Sequence, residues 1–280
     1  MALGRVKVRT ALRVALGAVM LLFGFVALQS LGTRLFESLA YFPSRTFYAA
    51  PGDFGLEAEE LSLRSEDGVR LHGFWIAPPG DRALGAILYC HGNGGNVSDR
   101  LAHARLLRDA GFGVLLFDYR GYGRSEGHPT EAGTYRDARA AADAVSERAP
   151  GTPAFYLGES LGGGVAAQLA RERPPRGLVL QSSFTSIRAM ARIHYPFLPR
   201  FLVPDAYPTR RRLAEIGAPV LVVHGERDRI VPASEGRALY EAAQDPKRLL
   251  LFPEAGHNDL VDRVGGRYAE ELAAWARSLE

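Results

Sequence analysis

The chain has 280 residues, 47% hydrophobic and 23% charged, which is enough apolar material for a full core in one domain with an appendage. Lys and Arg number 34 against 31 Asp and Glu; this balance of +3 leaves no concentrated basic face and excludes nucleic-acid binding as an expected role. The single Cys90 excludes an internal disulfide, and its place in an apolar run marks it as a buried strand thiol rather than a nucleophile.

The N-terminus is basic, with Arg5, Lys7, Arg9 and Arg13, and is followed by residues 14–33 without a charge. About 20 apolar positions suffice for a helix to cross a bilayer. Residues 1–33 are therefore expected to form a membrane anchor. The positive-inside tendency places the N-terminus in the cytoplasm and the following domain on the extracytoplasmic side. Secretion after signal-peptide cleavage is the alternative. It is disfavoured because Ala27-Leu28-Gln29 lacks a small residue at the cleavage position, while Ser30-Leu31-Gly32 offers a poorer site. Residues 34–55, opening on the proline-broken aromatic stretch Tyr41-Phe42-Pro43-Ser44-Arg45, read as a linker to a body spanning 56–280.

Residues 56–63 and 69–76 alternate apolar with polar positions around Asp67-Gly68, the pattern of an antiparallel hairpin. Short apolar runs follow at 86–89, 114–117, 154–157, 178–180, 219–223 and 249–252, as expected of strands buried on both faces. Helical segments at 99–110, 131–148, 161–172, 234–243 and 267–279 separate them. This alternation predicts an α/β architecture: a mostly parallel eight-stranded sheet flanked by helices, with an antiparallel N-terminal edge. Residues 187–217 interrupt the alternation with His194-Tyr195-Pro196-Phe197-Leu198-Pro199, and are read as a small lid or a plain surface loop. The triple Arg210, Arg211, Arg212 reads as a solvated helix face.

Gly158-Glu159-Ser160-Leu161-Gly162 lies between a predicted strand and a predicted helix, where a sharp turn exposes the serine hydroxyl. A serine is a weak nucleophile at neutral pH and needs a base oriented by a carboxylate. Asp228 follows the strand at 219–223, and His257 follows the last strand, so Ser160, Asp228 and His257 converge at the carboxyl edge of the sheet. Glu226, Asp118 and Asp259 are rivals for the acid, and Asp228 is preferred because it leads into the turn Arg229-Ile230-Val231-Pro232. Of the other histidines, His224 is expected to cap its strand and His91 to shape its loop. His72, His103, His128 and His194 default to solvated or locally bonded side chains. The developing oxyanion calls for backbone N–H donors; Leu161 supplies one, and Asn93, in His91-Gly92-Asn93-Gly94-Gly95-Asn96, supplies the other. No nucleotide cradle is expected, since no Lys-Ser or Lys-Thr follows these glycines, and neither metal nor cofactor is expected.

These boxes, together with Asp118-Tyr119-Arg120-Gly121-Tyr122-Gly123-Arg124-Ser125-Glu126-Gly127, resemble in order and spacing the α/β-hydrolase superfamily. Within it, the sequence is similar to a single-pass, membrane-anchored branch related to protein depalmitoylases and prolyl-oligopeptidase-like hydrolases. The resemblance implies the α/β-hydrolase fold, the triad and hydrolysis of a carboxylic ester or thioester through an acyl-enzyme. It does not select a substrate among esterases, thioesterases, lipases and peptidases. The expected partners are a small or lipid-like acyl ester and the membrane.

Overall fold

In the computed structural model the chain is described at Glu37, at residues 40–80 and at residues 83–279, so the expected span at 14–33 lies outside the described residues. Among these, no helix is long and apolar enough to cross a membrane. Eight strands form the main sheet: β1 (Glu59–Arg64), β2 (Arg70–Ile76), β3 (Gly85–Cys90), β4 (Phe112–Phe117), β5 (Ala154–Glu159), β6 (Gly177–Gln181), β7 (Val220–Gly225) and β8 (Lys247–Phe252). Their spatial order is β1-β2-β4-β3-β5-β6-β7-β8. β2 runs antiparallel to both neighbours, with Leu61 opposite Gly73 on one side and Gly73 opposite Phe117 on the other. All other pairings are parallel.

The uninterrupted apolar runs have the predicted meaning, since every residue of β3, β4, β6 and β7 is buried. Period-two alternation then sorts their side chains into two cores. On one face Leu88, Leu115, Leu180 and Val222 pack against helices α2 (Glu131–Arg148) and α3 (Leu161–Glu172). On the other, Tyr89, Leu116, Leu157 and Val223 meet α1 (Leu101–Asp109) and the C-terminal helix, Leu260–Arg277.

Residues 40–55 do not hang free as a linker. Ala40 and Tyr41 are buried, the Tyr41 hydroxyl lies 2.7 Å from that of Tyr207, and Phe42-Pro43 pair in parallel with Gly94-Gly95. The expected lid, 187–217, divides in two. Helix α4 (Ile187–His194) and the chain to Pro204 overhang the sheet's carboxyl edge. Beyond them, Ala206, Tyr207 and helix α5 (Thr209–Leu213) are packed into the body. Helix α6 (Ala233–Ala242) and α7, the C-terminal helix, complete the fold.

Three expectations need correcting. α7 starts at Leu260 rather than at 267, because Gly265-Gly266 does not break it. Leu260, Val264 and Gly265 are buried in its first turns, Leu260 and Val264 within the core shared with α1. α1 starts at Leu101 after a 3-10 turn, Val97–Arg100, capped by the Asn96 side chain, which accepts from the Ser98 N–H. Arg212 is not on a solvated face like Arg210 and Arg211. It stacks over the Tyr135 ring, donates to the Gly164 carbonyl at 3.1 Å and faces Glu131.

Candidate active site

The loops after β3, β5, β7 and β8 gather at one edge of the sheet, where parallel strands leave their carboxyl ends. Ser160 stands between β5 and α3 with φ 53° and ψ −116°, a conformation that a serine adopts only when its surroundings enforce it. The enforcement is visible. The Ser160 N–H donates to the Gln181 carbonyl at 2.9 Å, and the Ser183 hydroxyl donates to the Ser160 carbonyl at 2.8 Å. Glycine is needed on both sides for a steric reason: a Cβ at Gly158 would run into the Gly163 backbone, and one at Gly162 into the Cys90 and His91 carbonyls.

Asp228 follows β7 and is buried. Its Oδ1 accepts the N–H groups of Ile230 (2.9 Å) and Val231 (2.7 Å), while Oδ2 lies 2.6 Å from His257 Nδ1 and 3.4 Å from His224 Nε2. Burial works to raise this carboxyl's pKa, but hydrogen bonds from His224 and His257 outweigh it and hold the pKa near 2. The carboxylate is therefore ionised, and it fixes the proton of His257 on Nδ1, leaving Nε2 as the basic nitrogen. His224 does more than cap its strand, since its Nε2 donates to the Val231 carbonyl at 2.8 Å and closes the turn that carries Asp228. The rival acids are engaged elsewhere. Glu226 pairs with Arg237, and Asp259 accepts from the Gly256 N–H and from Arg263, steadying the loop before His257. Asp118 is buried against the Val97 N–H and His72.

Two cavities meet at Ser160. One, of about 280 Å³, is bordered by Ala40, Phe184, Met190, Ala191, Leu202 and Val231, and both Asn93 and Leu161 lie on its wall beside Ser160. The other is more polar than the first and is bordered by His257, Gln181, Glu159, Arg100, His103 and Tyr89. Ser160 and His257 both border that second cavity, with no hydrogen bond between them. The Leu161 N–H, first in its helix, has no intrahelical acceptor and sits at the positive end of the helix dipole.

Asn93 is held by three hydrogen bonds. Its carbonyl accepts the Phe42 N–H (2.8 Å) and the Tyr122 hydroxyl (2.7 Å), and its side chain donates to the Ala40 carbonyl (3.1 Å). Tyr119 donates to the neighbouring His91 carbonyl at 3.1 Å. The segment from Asp118 to Gly123 is thus the buttress of the glycine-rich loop, a role its spacing alone did not disclose. His91 shapes the loop as expected: its Nδ1 lies 2.7 Å from the Gly92 carbonyl, and burial pushes its pKa down to about 4, so the ring is neutral.

Glu159 does not point away from the site. Its carboxylate borders the polar cavity, bonded by both Arg100 nitrogens (3.1 and 3.0 Å) and by the Tyr89 hydroxyl (2.7 Å). Burial opposes its ionisation, yet Arg100 brings the pKa to about 2. Of the histidines expected to be solvated or locally bonded, His72 and His103 are buried and locally bonded. His72 lies between Asp118 (3.1 Å) and Glu60 (3.0 Å), and His103 bonds Tyr89 at 2.8 Å. Cys90 is buried and its thiol is pushed up to about 12, so it carries no thiolate. Among the described residues, no group of three or more His, Cys, Asp or Glu side chains is arranged to hold a metal ion.

The chain matches the family described as serine aminopeptidase S33 (Hydrolase_4) over residues 81–210 and 206–263. It is 42% identical over 242 residues to the uncharacterized protein Rv2307c of Mycobacterium tuberculosis, covering 84% of this chain and 86% of that one. It is 33% identical over 270 residues to the alpha/beta hydrolase domain-containing protein WAV2 of Arabidopsis thaliana, covering 85% and 88%. Among solved structures, the Pyrococcus furiosus esterase Pf2001 superposes with a TM-score of 0.71 at 20% identity, covering 85% of this chain and 97% of that one. The strand order, the turn at Ser160 and these relatives agree: the chain belongs to the Hydrolase_4 family of α/β hydrolases.

Proposed function

We propose that the protein is a serine esterase acting on acyl esters or thioesters through Ser160, His257 and Asp228. The reading rests on the 2.6 Å bond between Asp228 and His257, at the edge of the cavity into which the strained Ser160 opens. In this mechanism Ser160 Oγ attacks the substrate carbonyl carbon while His257 Nε2 takes its proton. The oxyanion is held by the N–H groups of Leu161 and Asn93. Collapse breaks the bond to the leaving alcohol or thiol, which receives the proton from His257. Water, activated by the same imidazole, then attacks the acyl-enzyme and releases the acid. The apolar cavity suits the acyl chain and the polar one the leaving group.

The family's description names an aminopeptidase, whose substrate carries an ammonium group near the scissile bond. The apolar cavity has no carboxylate among its described wall residues; of the carboxylates bordering the second cavity, Glu159 is paired with Arg100, Asp99 accepts the Asn96 N–H, and Asp262 is exposed to solvent. Ester cleavage is favoured because the apolar cavity beside Ser160 offers an ammonium group nothing to pair with. We further infer that residues 14–33 tether the enzyme, with the catalytic body on the extracytoplasmic side, on the strength of their uncharged length and basic flank.

The test is labelling of the full chain by a fluorophosphonate probe, with turnover of nitrophenyl esters and of an aminoacyl nitroanilide. Wild type is expected to be labelled and to cleave the esters, and Ser160→Ala to lose labelling and at least roughly a thousandfold in rate. Unchanged turnover in Ser160→Ala would remove the assignment, and faster cleavage of the anilide would move it to the peptidases.

A further inference from the structure

Ten consecutive residues, 192–201, are exposed at the end of α4 and beyond it. Polar side chains would be expected in such a stretch, yet it contains Tyr195 (57% exposed), Phe197 (80%) and Phe201 (66%), with Ile193 and Leu198 beside them. Scattered apolar residues on a surface need no explanation, but a contiguous cluster marks a surface that meets something. The inner face of the same segment is committed, since Met190, Ala191, His194, Leu198 and Leu202 line the apolar cavity, as does one side of Tyr195, whereas Phe197 and Phe201 do not. The outer tip is joined to the cavity's mouth. His194 Nε2 donates to the Ile230 carbonyl at 2.8 Å, and Ile230, itself half exposed, borders both cavities.

The charge of the segment indicates what it meets. Residues 187–204 contain Arg188, Arg192 and Arg200 and no acidic side chain. Arg188 is held by the Val203 carbonyl and Asp205, whereas Arg192 and Arg200 form no ion pair among the described residues. Aromatic rings beside unpaired arginines suit a bilayer interface, with the rings at headgroup level and the guanidinium groups on lipid phosphates. A second copy of this face would set Arg192 and Arg200 against like charges. The location of the preceding chain agrees: the uncharged stretch 14–33 leads into Ala40, which borders the same apolar cavity and whose carbonyl accepts from Asn93.

We propose that residues 192–201 seat in the interfacial layer of a bilayer containing anionic lipid, so that the apolar cavity opens onto the membrane and takes its substrate from it. This goes beyond a tether, which fixes location but leaves the body free to face any direction. Only the activity arm of the test rests on the esterase reading.

The full chain is reconstituted in vesicles of phosphatidylcholine and phosphatidylserine carrying a shallow spin-labelled lipid. An environment-sensitive fluorophore is placed on Phe197→Cys or, should that variant fold poorly, on Phe201→Cys; the native Cys90 is buried and does not compete. Ser146→Cys, on the exposed C-terminal turn of α2, is the control. The expected result is strong quenching at 197 or 201, little at 146, and weaker quenching when phosphatidylserine is omitted or when Arg192→Gln and Arg200→Gln are combined. Equal quenching at the tip and at 146 overturns the proposal. So does shielding of the tip that rises with protein concentration in detergent, which would mark a contact between copies. In the activity arm, Phe197→Asp combined with Phe201→Asp is expected to lower hydrolysis of a vesicle-borne long-chain ester by about tenfold or more while leaving a soluble short-chain ester within about twofold. A loss on both substrates would contradict it, whereas absence of activity in wild type would count against the esterase reading and leave the quenching result standing.

Discussion

Tyr122 donates its hydroxyl to the carbonyl of Asn93 at 2.7 Å, across 29 positions of sequence, and so holds from its C-terminal side the residue whose N–H is proposed to meet the oxyanion. Tyr122→Phe keeps the ring and removes only this bond. The expected outcome is a loss of about 1 kcal/mol of stability and a fall in kcat of about tenfold, with KM little changed, because the displaced donor acts in the transition state. Denaturant unfolding and steady-state kinetics on a nitrophenyl ester measure both. A loss of stability with unchanged kcat would mean that Asn93 contributes no donor.

The pairing of Asp228 with His257 separates the acid from its neighbour Glu226. Asp228→Asn is expected to lower kcat by roughly ten-thousandfold, because an amide neither selects the Nδ1 tautomer nor stabilises the imidazolium. Glu226→Gln, which breaks only the exposed pair with Arg237, is expected to remain within about twofold of wild type. The reverse pattern in a rate comparison of the two variants would transfer the role to Glu226.

Glu159, the residue before Ser160, and Arg100 form a mostly buried pair. Arg100→Met strands the carboxylate and is expected to destabilise the fold by about 3–5 kcal/mol, while Arg100→Met with Glu159→Gln recovers a large part of it. The pH dependence has a definite sign. A carboxyl held near 2, below its usual 4.5, binds its proton more weakly in the folded state. Its stabilisation, on the order of 3 kcal/mol, is complete above pH 4.5 and lost as pH falls towards 2. Urea unfolding of wild type and Glu159→Gln across that range should therefore converge on the acid side; parallel curves would show that the pair does not control the titration.

In the proposed mechanism the acyl chain occupies the apolar cavity, which then sets the length accepted. Ala191→Phe adds a ring to its wall and is expected to leave acetyl esters within about twofold while reducing decanoyl esters by more than about tenfold. A chain-length series on the two proteins reads the effect directly. An unchanged optimum would place the acyl group elsewhere.

Much of this architecture was legible in one dimension because it is written in local periodicity. Apolar runs such as those of β3 and β7 could only be strands covered on both faces, and α2 and α3 begin and end where the sequence pattern places them. The glycines around Ser160 announced the sharp turn, because only glycine tolerates backbone contact at Gly158 and Gly162. α7 begins at Leu260 rather than at 267, because Leu260 and Val264 are buried in the core, a contact that local periodicity did not record.

What the sequence determined by itself was therefore the order of strands and helices, the turn at Ser160, the inert thiol of Cys90 and the residues available for acid and base work. Tertiary structure alone decided which of these meet: Asp228 with His257 and His224, Glu159 with Arg100, Tyr122 with Asn93, and Tyr41 with Tyr207 across 166 positions. Such pairs leave no periodic trace, because the energy that selects them comes from burying polar groups beside a partner brought close by the chain's crossovers. The exposed aromatic tip beyond α4 belongs to the same class. Its composition was visible from the start, but only the packing of its other face against the cavity showed that the Phe197 and Phe201 rings lie outside it.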